Sequence, residues 1–178
     1  MPALVFQPVE TEAQIALLHE ALCALSDDLG DIHAAGIKDL GAALLAPVPA
    51  AYGMLAQDDS SVKGAALFSP VFSTVLGAPG LYVSDLWVSP LARGRGLGRA
   101  LLAQAARRAQ ARWRAEWMTL AVYRDSQSAQ RFYHRLGFAP QTTSTLMRLD
   151  ARAMGELTTN LTTDLGTNLS TNLSKDAT

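Results

Sequence analysis

Cysteine is almost absent from this chain: Cys23 is the only one in 178 residues, which excludes an internal disulfide. No run approaches the roughly 18 uninterrupted apolar residues of a membrane span. The N-terminus also lacks the charged head and apolar run of a secretory signal. Metal ligands are scarce. His19 and Cys23 stand four apart, but no third ligand shares their spacing, so a buried cysteine beside a surface histidine is expected and no metal. These absences predict a soluble cytoplasmic protein. With 49% of its residues hydrophobic, the chain can bury one full core, and at ~100–200 residues per domain there is no room for a second.

Charge is present but divided. The net charge of -1 conceals nine acids against Lys38 alone in residues 1–59, and twelve arginines against Glu116, Asp125 and Asp150 in residues 93–152. One part is suited to meet cations and the other anions, if the two lie near a common cleft. With a pI near 6.3 and no aromatics interleaved with a basic face, nucleic acid is not the expected partner. From Thr158 the chain repeats TTNL, TTDL, GTNL and STNL. One leucine in four buries too little to offset ordering, so residues 153–178 are expected to form a low-complexity, disordered tail behind a domain at 1–152.

Between these lies a pattern of alternating elements. A strand is expected at Leu4–Pro8, then a helix from Thr11 to about Leu25, opened by a capping box with Gln14. A short helix over Ile37–Leu45 is stopped by Pro47 and Pro49. Strands at Tyr52–Gln57, Val62–Phe72 and Gly80–Ser89, separated by turn formers, predict an antiparallel meander. Leu97, Leu101, Leu102, Ala105, Ala109 and Trp113 recur at helical spacing. A strand at Met118–Val122, a helix at Ser126–Leu136 and a last strand at Thr143–Leu149 complete an α+β (mixed α/β) fold, one twisted, mostly antiparallel sheet with helices on both faces.

The stretch ARGRGLGRALL, residues 92–102, places glycines at 94, 96 and 98 at the start of that long helix. There the unpaired N–H groups and the positive end of the dipole converge on an anion, and a pyrophosphate fits. Arg93, Arg95 and Arg99 add forked donors. A Walker loop would need Lys-Ser/Thr after its last glycine, and a dinucleotide fingerprint meets Arg99 or Leu101 where it needs glycine.

What fits is R-x-x-G-x-G, from Arg93 through Gly96 to Gly98, and with it the chain resembles the GCN5-related N-acetyltransferases (GNAT). "SDLWVSP" occupies the place of that family's strand before the loop, and "SAQRFYHRLGF" supplies its later helix, with Ala129, Tyr133, Gly137 and Phe138 in the family's spacing. The resemblance implies acetyl-CoA as co-substrate, the loop Arg93, Gly94, Arg95, Gly96, Leu97, Gly98 and Arg99 around its pyrophosphate, and Leu86, Trp87 and Val88 along its pantetheine arm. "FSTVLGAPGLYVSDLWV" further resembles the diamine and polyamine (spermidine/spermine-like) branch. That implies a small cationic amine acceptor and a homodimer; the acidic N-terminal portion agrees with such an acceptor, with Asp27, Asp28 and Asp31 as its candidate substrate residues. In that branch a strand glutamate stands where this chain has Ser84, and an asparagine where it has Ser126, which is expected among the residues that bind the cofactor.

An aliphatic amine with pKa near ~10 must lose a proton before attacking a thioester. Asp85 is the nearest carboxylate, but strand alternation points it away from Ser84. A water relay through Ser84 and the acids Asp27, Asp28 and Asp31 are the alternatives. By the resemblance Tyr133 protonates the departing thiolate, and a backbone N–H near Val88 polarises the carbonyl. Protein or antibiotic acetylation on the same scaffold, and a non-catalytic acetyl-CoA-binding module, are the competing readings.

Overall fold

A computed structural model describes residues 4–59 and 61–159. The residues up to Gly137 form one compact unit, and those from Phe138 a second. In the first, the order is β1 (Val5–Pro8), α1 (Glu12–Leu29), α2 (Ile37–Leu44), β2 (Tyr52–Gln57), β3 (Val62–Ser73), β4 (Ala78–Val88), a 3-10 turn (Pro90–Ala92), α3 (Leu97–Trp113), β5 (Trp117–Leu120) and α4 (Gln127–Arg135). The strands form one sheet in the order β1-β2-β3-β4-β5. The first three pairings are antiparallel, and β4 to β5 is parallel across the α3 crossover.

Helices cover both faces, as the pattern predicts. The successive residues Ala65 and Ala66 are both 0% exposed, so neither face of β3 meets water, and the strand reads as an unbroken apolar run. On one face Ile15, Leu18 and Leu22 of α1 pack with Leu40 and Leu44 of α2 over Leu55, Ala65, Leu67 and Trp87. On the other, α3 lies so close that a Cβ on Gly64 would sit 2.7 Å from Leu101.

Local chemistry explains the helix ends. Thr11 Oγ1 accepts from Gln14 N–H, and Gln14 Oε1 accepts from Thr11 N–H, closing the expected capping box. The helix runs to Leu29, one turn past the expected Leu25. There Gly30 takes φ 72°, its N–H reaches Asp27 O, and Asp31 N–H reaches Ser26 O. This paired arrangement reverses the chain and turns residues 31–33 back along the helix.

The last strand is the clear correction. Residues 143–149 carry no regular structure, because β-propensity needs a neighbouring ladder and no described residue of the second unit supplies one. Residues 151–159 are helical, opened by Asp150 Oδ1 accepting from Ala153 N–H. The helix therefore runs across residue 153, where an irregular tail was expected to begin; Ala, Met, Glu and Leu there are good helix formers. The repeats beyond 159 lie outside the described residues.

Gly80 tests the packing between β4 and β5. An added Cβ would lie 2.4 Å from the Trp117 indole, a rigid neighbour that hydrogen-bonds Ala78 O through Nε1. Gly80→Ala is expected to cost about 1–3 kcal/mol as overpacking, read as a lower urea midpoint with unchanged slope.

Candidate active site

The site begins with one extra residue. In β4, Leu86 pairs with Ala66, Asp85 with Leu67 and Val83 with Phe68, so Ser84 is unmatched and forms a β-bulge. Ala66 and Phe68 share the α3 face, and so therefore do their partners Leu86 and Val83. Both residues between them turn to the other face. This corrects the expectation that alternation points Ser84 and Asp85 apart: the bulge suspends the alternation and brings the two together. Ser84 Oγ donates to Leu67 O at 3.2 Å, holding the bulge.

The bulge also marks where β4 leaves β5. Gly80–Val83 pair with Trp117–Leu120, and beyond Val83 no described strand pairs with β4 on that side. Ser89 N–H bonds to Lys63 O of the β3 side. By alternation Trp87 and Asp85 also spend their peptide groups on β3, while Leu86 aims both of its peptide groups and Val88 its N–H into the gap. An extended polar arm can pair with this open edge, whose N–H groups can polarise a carbonyl.

From the gap the chain enters the glycine loop. Gly94 and Gly96 adopt φ 75° and 80°, with nothing within 4 Å of where a Cβ would stand. Gly96 caps α3 without a side chain, so the N–H groups of Leu97, Gly98 and Arg99 keep no capping partner. Arg95 and Arg99 are exposed beside them. Arg93 is committed differently. Its Nε donates to Val88 O at 2.9 Å and its Nη2 pairs with Asp28, so it ties the end of β4 to α1. Backbone donors at a dipole's positive end, beside exposed guanidinium groups and an open peptide edge, fit a pyrophosphate with an extended amide-bearing arm.

α4 closes the far side. Phe132 lies 3.1 Å from where a Gly98 Cβ would be, which brings α4 onto the first turn of α3. Ser126 is the residue before α4, and Gln127 its first. Tyr133 follows Phe132, half-buried, and burial raises its phenol above the usual value of 10.0. It stays protonated at neutral pH, able to donate. Gly137 ends the helix at φ 94°, a conformation that favours glycine.

The acidic segment spans the mouth of the gap. Asp28 meets Arg93 on the β4 side, and Asp31 accepts from Tyr123 Oη at 2.9 Å on the β5 side. Gln130 of α4 fixes that second lip by donating to Tyr123 O and Arg124 O, both at 2.9 Å. Asp27 is exposed alongside. Tyr123 and Gln130 were not among the candidates: their roles arise from contacts across the fold, and only the Tyr-Arg-Asp turn before α4 could have hinted at them. The acidic and arginine-rich parts meet again at Arg108–Glu10, 2.5 Å. His19 and Cys23 are both half-buried, so the histidine is no surface residue and the cysteine is not fully buried as expected.

Residues 23–138 match the profile of a family described as "Acetyltransferase (GNAT) family". An integron cassette protein from the mobile metagenome of V. cholerae is similar in structure, with a TM-score of 0.69 at 21% identity over 87% of this chain and 97% of its own. A ribosomal-protein-alanine N-acetyltransferase from Brucella melitensis biovar Abortus 2308 reaches 0.67 at 19%, covering 83% and 100%. An aminoglycoside acetyltransferase from an uncultured soil metagenomic sample reaches 0.68 at 14%, covering 83% and 97%.

Spectrophotometric titration checks the raised phenol. A phenol that ionises above pH 10 is expected, and Tyr133→Phe is expected to remove that step. Because the folded form holds this proton more tightly, the difference contributes to stability below pH 10 and is lost as pH rises through the raised value.

Proposed function

The chain belongs to the GNAT acetyltransferase family, acyl-CoA-dependent N-acetyltransferases that use acetyl-CoA as co-substrate, and on that premise we propose that its acceptor is a small cationic amine: a polyamine, a diamine or a lysine-like amino acid. The observation behind this reading is the acidic end of α1, tied to both lips of the gap through Asp28–Arg93 and Asp31–Tyr123. Arg93 offsets the charge of Asp28. The partner of Asp31 is a neutral phenol, so Asp31 keeps its charge and, with Asp27, draws cations to the gap.

Acetyl-CoA supplies the thioester acyl group, and the chain's own residues do the rest. The N–H groups of Leu97, Gly98 and Arg99 hold the pyrophosphate, with Arg95 and Arg99 alongside. The peptide groups of Leu86 and the N–H of Val88 align the arm, and a backbone N–H of that edge takes the developing negative charge on the carbonyl oxygen. Asp85, directly or through water at Ser84, takes the proton of the incoming ammonium. The amine nitrogen then bonds to the carbonyl carbon as the carbon–sulfur bond breaks, and Tyr133 gives its proton to the leaving sulfur; the new amide nitrogen sheds its extra proton to water, and the Tyr133 phenolate takes one back from solvent. A homodimer belongs to the same reading.

Thiol release from acetyl-CoA, followed across polyamines, diamines, lysine analogues, aminoglycosides and peptides, tests the acceptor. Turnover is expected on one class of small cations; a clear preference for neutral amines or peptide N-termini would overturn the assignment. Tyr133→Phe is expected to lower kcat on the order of 10²-fold with little change in acceptor KM. Asp31→Asn is expected to raise KM for the cationic acceptor and to flatten its salt dependence.

A further inference from the structure

His19 and Cys23 have a neighbour that their spacing in sequence does not reveal. His33 joins them, and one ligand atom from each lies within 4.8 Å of the others. The chain has three histidines and one cysteine, so two of the three histidines and the only thiol meet at one place. We propose that His19, Cys23 and His33 form a binding site for a zinc-class divalent cation, one that the acetyl-transfer reading does not use.

The fold assembles the three ligands in two ways. His19 and Cys23 are one helical turn apart on α1, on the same face. His33 arrives by the chain reversal at Gly30, which carries the following residues back beside the last turns of the helix. Cys23 Sγ lies 3.7 Å from His19 Nε2 and 3.8 Å from Nδ1. Tetrahedral zinc, with bonds of about 2.3 Å to sulfur and about 2.0–2.1 Å to nitrogen, sets that separation at about 3.6 Å.

His33 is already oriented for the task. Ser26 Oγ donates to Leu22 O at 3.1 Å, which spends its only hydrogen. The same hydroxyl lies 3.0 Å from His33 Nδ1, and with its hydrogen given to Leu22 O it accepts from Nδ1–H, the tautomer that leaves the lone pair on Nε2. Nε2 is buried and has no hydrogen-bond partner among the described residues. This is how a metal-binding imidazole is usually held: one nitrogen anchored by a hydrogen bond, the other presented to the ion. The His19 and His33 rings meet edge to face with centroids 5.2 Å apart, so the two imidazoles are already neighbours.

The donor set fixes the ligand class. A thiolate with two imidazoles suits Zn2+ and its analogue Co2+, whereas Mg2+ and Ca2+ require oxygen. Binding replaces the thiol proton by a sulfur–metal bond, and the proton leaves to solvent. Three protein ligands leave a fourth position for water. The bound ion would clamp the segment carrying Asp31 to the body of α1.

The test uses the tag-free full chain titrated with Co2+ and then with Zn2+. One equivalent of Co2+ is expected to give tetrahedral ligand-field bands and a sulfur-to-cobalt charge-transfer band. Since only one cysteine exists, that band reports Cys23 alone. Zn2+ is expected to displace Co2+ and raise Tm, and Mg2+ to do neither. Cys23→Ser is expected to abolish the charge-transfer band. His33→Gln and His19→Gln should weaken binding at least 10-fold, and Ser26→Ala, acting through His33, about 10–100-fold. Circular dichroism of the metal-free variants checks that each still folds; a variant that does not is replaced by His33→Asn or Cys23→Ala at the same ligand. No one-to-one binding at micromolar Co2+, binding without the sulfur band, or affinity unchanged in both Cys23→Ser and His33→Gln would each overturn the site.

Discussion

β4 carries one residue more than β3 can match, and the candidate active site depends on that mismatch. An extra residue sharpens the local twist, so the strand that runs flush with β5 from Gly80 to Val83 departs from it afterwards. Without the departure, β5 could continue the ladder and satisfy the peptide groups of Leu86 and the N–H of Val88. With it, those groups face a gap. The same bulge puts Ser84 and Asp85 on one side, so the open edge and the nearest carboxylate are produced by a single irregularity. Ser84 suits the position because its hydroxyl donates to Leu67 O, inside the ladder that the bulge disturbs.

Charge organises what surrounds the gap more than it stabilises the fold. Arg93–Asp28 and Arg108–Glu10 join the acidic and the arginine-rich parts of the chain, yet most of these side chains are substantially exposed, where ion pairs contribute little. Their value is positional. Arg93 makes one bond to a β4 carbonyl and another to the end of α1, so it fixes the distance between strand and helix with one rigid fork. Tyr123 and Gln130 do the corresponding work on the opposite lip with hydrogen bonds from neutral donors, one to the Asp31 carboxylate and two to backbone carbonyls.

Features set by neighbours along the chain were legible in the sequence. The capping box at Thr11, the glycine loop ahead of α3, the meander and the glycine ending α4 are all governed by residues within one or two turns. Features that need a distant partner were not. The bulge at Ser84 exists only in relation to Leu67 and Phe68. Arg93 points to an acid 65 positions away rather than into its own loop. Thr143–Leu149 has the composition of a strand, but composition does not supply a ladder. His33 is far from His19 along the chain and near it only because Gly30 reverses the backbone, a consequence of one positive φ angle that ligand spacing does not encode.

The open edge of β4 is built from peptide groups, and these are the same in every residue except proline. At Leu86 and Val88, recognition and packing are carried by different atoms: the main chain faces the gap while the side chains belong to the α3 face. Exchanges among Leu, Ile, Val and Met there would alter the core without altering the hydrogen-bonding pattern offered to a ligand, whereas proline at either position would erase a donor outright. Such an edge places few demands on the letters of the sequence. The sequence can drift a long way there while the binding surface stays chemically constant.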